Sequence, residues 1–168
     1  MPAASATPGL RSAGQASSSQ QASPLPAWNR RLVSTALGID IIEIDRIRRA
    51  LRRWPRFAAR LFTPAERVYC DRRADPAPHY AARFAAKEAA AKAFGRPLRW
   101  HDVEVRTDEL GRPSLALSGE AAALAHAAQG VRLLVSLSHS RDHAVGCVLL
   151  LGPQDIACPD ENLPPEGA

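Results

Sequence analysis

The sequence predicts an α+β fold, a mostly antiparallel sheet packed against helices, and three observations carry that expectation. Apolar runs of strand character stand near both ends of the central stretch, at Ser34 to Ile42 and at Ala144 to Leu151. The second of these follows another run, Val131 to Leu137, after only His139-Ser140-Arg141-Asp142 as a turn, which suits a hairpin and is too short for a parallel crossover. Between them lies a long alanine-rich helix with start and stop signals of its own.

Each element follows from local chemistry. After the first strand the apolar spacing changes at Glu43, and Ile44, Ile47, Leu51 and Trp54 form one helical stripe. Pro55 stops that helix or restarts the chain. Thr63, Pro64 and Glu66 supply an N-cap, an N1 proline and an N3 carboxylate, the start of a short helix ending before an expected break at Asp75 to Pro78. The long helix is expected from about His79 to Phe94, with Gly95 at C′ and Pro97 beyond. His101 to Thr107 alternates apolar and polar residues, and a turn at Gly111 leads to Pro113 to Leu117. Ser118 can cap a further helix running through Gln129 and ended by Gly130.

The 168 residues, 46% hydrophobic and 23% charged, suffice for one domain with a core and exclude rods and collagen-like chains. Residues 1–33 are expected to be a disordered extension, 34–151 the folded domain and 152–168 a flexible tail. No apolar run is long enough to span a bilayer, since Val131 to Leu151 is cut by Ser136, Ser138, His139, Arg141, Asp142 and His143. Neither a signal peptide nor a repeat is visible. Cys70, Cys147 and Cys158 are odd in number and widely spaced, which suggests neither a disulfide framework nor zinc. A cytoplasmic protein without a membrane partner is expected.

Charge is concentrated in the middle. Outside the first 29 and last 17 residues stand 21 of the 22 bases and 13 of the 17 acids, a formal +8 against +5 for the whole chain. That favours an anionic partner without choosing one. Arg46, Arg48, Arg49, Arg52 and Arg53 on the first helix, with Arg56 and Arg60 after it, are offset locally only by Asp45. Such a face repels itself unless an acidic protein helix or a nucleic-acid backbone relieves it.

Three places could carry chemistry. Asp40 alternates with Ile39 and Ile41 in a segment otherwise fit for burial, so it needs a partner, solvent at a sheet edge, or the next helix to cap. Glu88 and Lys92 stand at i, i+4 with Gly95 beneath, and Arg83 and Lys87 lie on the adjoining face. An ordinary surface ion pair explains the spacing, but the chain has twenty Arg and only two Lys, both flanking Glu88. Lys is a mobile point charge where Arg is a fixed fork, so retaining Lys here suggests a phosphate or a proton to follow. Asp40 and Glu88 together would suit Mg²⁺, which takes one or two carboxylates and completes its shell with water and substrate phosphate. Ser136-Leu137-Ser138-His139-Ser140 ends a strand with hydroxyls and an imidazole; by itself it reads sooner as a hydrogen-bonded turn than as a catalytic site. No G-x-S-x-G elbow supports a serine hydrolase.

Taken together, Gly38-Ile39-Asp40-Ile41-Ile42-Glu43, Phe62-Thr63-Pro64-Ala65-Glu66, Arg83-Phe84-Ala85-Ala86-Lys87-Glu88 with Lys92-Ala93-Phe94-Gly95, and Ser136-Leu137-Ser138-His139-Ser140 resemble holo-acyl-carrier-protein synthase, the small class of 4′-phosphopantetheinyl transferases. The resemblance spans roughly Ala36 to Leu151. It implies Mg²⁺-dependent transfer of the 4′-phosphopantetheine arm from coenzyme A to a serine of apo acyl carrier protein, in fatty-acid or other lipid metabolism, releasing adenosine 3′,5′-bisphosphate. It implies Asp40 and Glu88 as metal ligands and Asp40, Glu88 and Lys92 as the catalytic set, with Lys92 at the pyrophosphate and Glu88 or a metal-polarised water as base. It implies coenzyme A binding by Arg83, Lys92, Gly95, Pro113, His139 and Ser140, and carrier docking by Arg46, Arg53, Arg56 and Phe57. It also implies a homotrimer with sites shared between chains. The chain departs from the pattern in its long amino-terminal extension and in the short Arg96-Pro97-Leu98-Arg99 link between Gly95 and Trp100. Two other readings stand beside this one: a basic nucleic-acid-binding module, which leaves the carboxylates and lysines unexplained and lacks an aromatic platform, and a homologue that binds coenzyme A without turnover.

Overall fold

A computed structural model describes residues 35–128 and 131–152. The order is β1 (Ala36–Glu43), α1 (Ile44–Arg53), α2 (Phe57–Leu61), α3 (Pro64–Asp71), α4 (Pro76–Ala93), β2 (Val103–Thr107), β3 (Pro113–Leu117), α5 (Gly119–Ala127), β4 (Arg132–His139) and β5 (His143–Leu151). Strands β1, β5 and β4 form an antiparallel sheet in that spatial order, and β2 and β3 form a separate antiparallel hairpin packed beside β4. The predicted α+β architecture is the one observed.

Helix α4 is the centre of the molecule. Ala81, Ala85, Ala86, Ala89 and Ala90 are fully buried, and the helix rests on β1 and β5 at two glycines. A Cβ on Gly38 would lie 1.9 Å from the Ala89 carbonyl oxygen, and one on Gly146 would lie 2.3 Å from the Ala86 nitrogen. Small residues on both partners thus bring backbone against backbone. Around the first half of α4, Ile44, Ile47, Phe62, Cys70 and Tyr80 form one apolar cluster; around its second half, Phe94, Val103, Leu124, Val148 and Leu150 form another. Desolvation pushes the buried Cys70 thiol up to about 12, so it stays protonated and inert.

The ends of the helices explain where sequence signals worked and failed. Thr63 and Glu66 make the expected reciprocal capping box. Gly95 adopts φ 68°, and its amide and that of Arg96 donate to the Lys92 and Ala91 carbonyls, a Schellman ending. The expected break at Asp75 to Pro78 is instead the first turn of α4: Asp75 caps the helix by accepting from the Ala77 amide, and Pro76 occupies N1. Ser118 does not cap α5 through its side chain; Asp102 reaches across from the turn before β2 and accepts the Glu120 amide at 2.8 Å. Residues 100–102 form a 3₁₀ turn, so strand β2 begins two residues later than predicted. Trp54 leaves the apolar stripe and is 55% exposed, and Ala50 takes the inward position. The expected end of the Ser118 helix at Gln129 and Gly130, the whole amino-terminal extension at 1–33 and all of the carboxy-terminal tail but Gly152 lie outside the described residues.

Along β1 the buried face carries Gly38 and Ile42, and the half-buried Asp40 lies on that side. Leu37, Ile39 and Ile41, expected to be covered, are 58–64% exposed on the other face. Their cross-strand partners Leu149, Cys147 and Val145 on β5 continue that surface, and the exposed Leu134 of β4, paired with Leu149, extends it.

Candidate active site

Alternation along β1 turns Asp40 toward α4, where the Lys92 ammonium bonds its Oδ1 at 2.8 Å and the Ile39 carbonyl at 2.8 Å. Lys92 keeps half its side chain in solvent while Asp40 is largely covered. Glu88 lies one helical turn before Lys92 on the same face. Its carboxylate has no hydrogen-bond or ion-pair partner among the described residues. The strand carboxylate thus bonds the helix at Lys92, one turn beyond Glu88. Glu88, Lys92, Gly95, Arg96, Arg99 and Trp100 line a cleft of about 530 Å³.

The donor set fits a hard divalent cation that arrives with a substrate. Two carboxylate side chains are available, one of them unpartnered, and no group of three potential metal ligands occurs among the described residues. A closed protein cage is therefore absent there, whereas Mg²⁺ accepts such a partial shell and draws its remaining oxygens from water and phosphate.

Lys87 corrects the inference drawn from lysine usage. It is buried and spends all three ammonium hydrogens inside the protein: on Glu66 Oε2 at 2.7 Å, the Leu61 carbonyl at 2.9 Å and the Trp100 carbonyl at 2.7 Å. Glu66 in turn accepts the Thr63 and Val105 amides. Burial pulls the Lys87 pKa down while Glu66 holds it up. Its side chain borders the cleft, but with every ammonium hydrogen spent it ties α4 to α2, α3 and the turn before β2 and has no proton to offer there.

The proposed nucleotide residues gather at the other end of α4. Arg83 is buried, stacked 3.9 Å from the Tyr69 ring centroid, and donates to Thr107 Oγ1 and the His79 carbonyl. Thr107 pairs with Pro113 across the hairpin, so Arg83 and Pro113 are neighbours through it. His139 ends β4 and meets the His79 ring edge-on at 5.9 Å. Ser140 shapes the hairpin turn, its hydroxyl accepting the Asp142 and His143 amides.

The arginine face is exposed as predicted. Arg46, Arg53, Trp54, Phe57 and Phe84 line a groove of about 560 Å³, and Trp54, Arg56, Phe57, Arg60 and Trp100 line a neighbouring one of about 680 Å³. Trp100 stacks on Phe84 at 5.0 Å and also lines the Glu88 cleft, joining the two regions. Arg48 differs from its neighbours: it is paired with Asp45 and Asp75, which holds the Asp75 carboxyl below its ordinary value against a burial effect of opposite sign. Residues the sequence reading missed, Tyr69, His79 and Trp100, come from three separate segments. Only the tertiary packing brings them to these sites.

One chain thus carries a cleft lined by Glu88 and Lys92 beside the Asp40–Lys92 pair, a cationic cluster toward the other end of the same helix, and an arginine-lined groove. Residues 36–148 match the model of the 4′-phosphopantetheinyl transferase superfamily, more than half of the chain, and the chain belongs to that family. Within it the similar proteins are holo-[acyl-carrier-protein] synthases. That of Anaeromyxobacter dehalogenans (strain 2CP-C) is 50% identical over 122 residues, covering 69% of this chain and 94% of the relative. That of Koribacter versatilis is 45% identical over 118 residues, 67% and 94% respectively. Among solved structures, a Chronobacterium ammoniagenes ACPS–CoA complex matches with TM-score 0.64 and 32% identity over 71% of this chain and 98% of that one. A Bacillus anthracis holo-(acyl-carrier-protein) synthase in complex with CoA (3′,5′-ADP) matches with TM-score 0.59 and 35% identity, covering 70% and 96%.

Proposed function

We propose that this chain transfers the 4′-phosphopantetheine arm of coenzyme A to a serine hydroxyl of an acidic apo acyl carrier protein, with Mg²⁺ bound by Asp40 and Glu88. The observation that carries the reading is the Asp40–Lys92 contact at 2.8 Å, with the unpartnered Glu88 one turn away on the same helix face. A carboxylate and an ammonium on one open cleft, with a second carboxylate bonded to that ammonium, suit the charge of a pyrophosphate and its counter-ion. A divalent cation there would neutralise charge on the pyrophosphate oxygens.

The chain's own residues perform the remaining work. Lys92 sits half in solvent, free to swing from Asp40 to the pyrophosphate, and offsets the charge that builds on the leaving phosphate. As the serine oxygen bonds the β-phosphorus, the bond from that phosphorus to the bridging oxygen breaks. Glu88 takes the serine proton, Lys92 gives one to the departing oxygen, and adenosine 3′,5′-bisphosphate leaves. Pro113, His139 and Ser140 border the nucleotide and Arg83 supports that end from beneath, while Gly95, in the Lys92 cleft, lets the backbone approach the pyrophosphate. Arg46, Arg53 and Arg56 with Phe57 dock the carrier, their exposed guanidinium groups meeting an acidic helix.

The outer face of the sheet supports assembly into a homotrimer. Leu37, Ile39 and Ile41 on a regular strand form an apolar stripe that a soluble monomer seldom leaves open. Among the described residues no helix is long and apolar enough to cross a membrane.

The test is a mass measurement. With coenzyme A, Mg²⁺ and an apo carrier protein, the carrier is expected to gain the mass of the phosphopantetheine arm, and Glu88→Gln is expected to abolish the gain. A wild-type chain that binds coenzyme A and leaves the carrier unmodified would overturn the transferase reading in favour of a non-catalytic binder. Salt-dependent retention on DNA or RNA without modification would favour the nucleic-acid module.

A further inference from the structure

The amino-terminal end of α4 holds more positive charge than its surroundings neutralise. Arg73 and Arg83 both stack on Tyr69, their guanidinium carbons 4.5 and 3.9 Å from the ring centroid. His79 meets the edge of that ring at 6.0 Å and the His139 ring at 5.9 Å on its other side. The nearby carboxylates are engaged elsewhere: Asp75 bonds Arg48 at 2.7 Å, and Asp71 accepts from the Tyr80 hydroxyl at 2.8 Å. Among the described residues neither Arg73 nor Arg83 has a carboxylate within ion-pair distance, and the buried Arg83 Nε has no hydrogen-bond partner. Two guanidinium groups with no carboxylate at ion-pair distance, beside two imidazoles, leave a site short of an anion.

Resting on the transferase reading above, we propose that His79 is a recognition residue for the phosphomonoester of coenzyme A, completing with Arg73 and His139 an anion cradle that takes up a proton as it closes. The groups facing His79 are Tyr69 from α3, Arg73 from the α3–α4 link, Asp75 and Arg83 from the start of its own helix, and His139 from β4. In the free protein burial first, then Arg73 and Arg83, hold His79 below its ordinary pKa, and Asp75 opposes them. A phosphate dianion at the rim reverses that balance and favours the imidazolium. Coenzyme A carries one phosphomonoester, on its ribose; the phosphates of its pyrophosphate bear single charges that do not titrate in this range. Nine residues of helix, roughly 13 Å, separate Arg83 from Lys92, so the cradle is distinct from the pyrophosphate position. Affinity for coenzyme A therefore rises as pH falls toward the phosphate's own second pKa near about 6.

The experiment is calorimetric titration of the full chain with coenzyme A and with 3′-dephospho-coenzyme A, at about pH 8 and about pH 6.5, in two buffers of different ionisation enthalpy. Coenzyme A is expected to gain several-fold more in affinity than the dephospho compound on acidification, with net proton uptake. His79→Gln is expected to remove most of that gain and uptake, and His79→Phe, which keeps a ring against Tyr69, to behave alike. His139→Gln, at an exposed position, is expected to weaken coenzyme A while retaining the uptake at His79. Unchanged uptake and an unchanged ratio between the two ligands in both His79 variants would overturn the proposal. That outcome is distinguishable from failure of the underlying reading, in which the wild-type chain binds neither compound.

Discussion

Lys87 and Lys92 stand five residues apart on one helix, and each bonds a carboxylate at almost the same distance, 2.7 Å to Glu66 and 2.8 Å to Asp40. Their surroundings are opposite. The Lys87 pair is sealed, with 2% and 0% of its side chains exposed, whereas Lys92 is 52% exposed beside an open cleft. Identical chemistry thus yields a structural tie in one place and a mobile charge in the other. A sealed pair cannot release its partner without leaving a buried charge, and an open pair exchanges its partner for a phosphate at little cost.

Removing each lysine breaks this comparison in a different currency. The largest effect is expected for Lys92→Ala: transfer, followed by mass gain of the carrier, should fall about a thousandfold or more, while loss of this exposed pair should cost stability no more than about 1 kcal/mol. Lys87→Met should do the reverse, lowering the urea-unfolding free energy by about 3–5 kcal/mol because Glu66 remains buried without its counter-charge. Adding Glu66→Leu should recover only part of that loss, since the Thr63 and Val105 amides then lose their acceptor at about 1–3 kcal/mol each.

Two smaller effects sharpen the contrast between exposed and buried charge. Arg53→Glu on the groove should raise the KM for the carrier about tenfold and leave that for coenzyme A unchanged; equal changes in both would remove Arg53 from the docking face. The smallest effect concerns acid stability. His79 is held below its ordinary pKa, so the folded state resists its protonation and the unfolded chain takes the proton first. Its contribution is neutral above about pH 6.5 and turns unfavourable as pH falls below that value. Urea midpoints above and below that pH should converge in His79→Gln relative to the wild type.

Much of the fold was legible because its signals are local. The Thr63/Glu66 box, the Gly95 stop and the hairpin at 140–142 each involve residues a few positions apart. The start of α4 was also written locally, in Asp75 followed by Pro76, but two prolines in three positions read as a break when both fit the first turn. What remained hidden depends on distant partners. Ser118 looked like a cap because the sequence does not show Asp102 arriving from another element, and Lys87 looked functional because Glu66, 21 positions earlier, does not announce itself as its partner. The Asp40–Lys92 contact spans 52 positions; the resemblance singled out both residues, and their direct bond was not legible. His79 had no local signal, since its neighbours Tyr69 and His139 meet it only after packing.

The glycines beneath α4 set a limit on how this enzyme can vary. Because Gly38 and Gly146 let main chain lie on main chain, the strand bearing Asp40 and the helix bearing Glu88 and Lys92 have no adjustable spacer between them. Accommodating a bulkier thioester on the pantetheine arm would have to come from reshaping the 95–100 link or the hairpins. The helix and strand themselves work as a gauge block, and lineages that alter substrate range would be expected to edit the rim and leave that block alone.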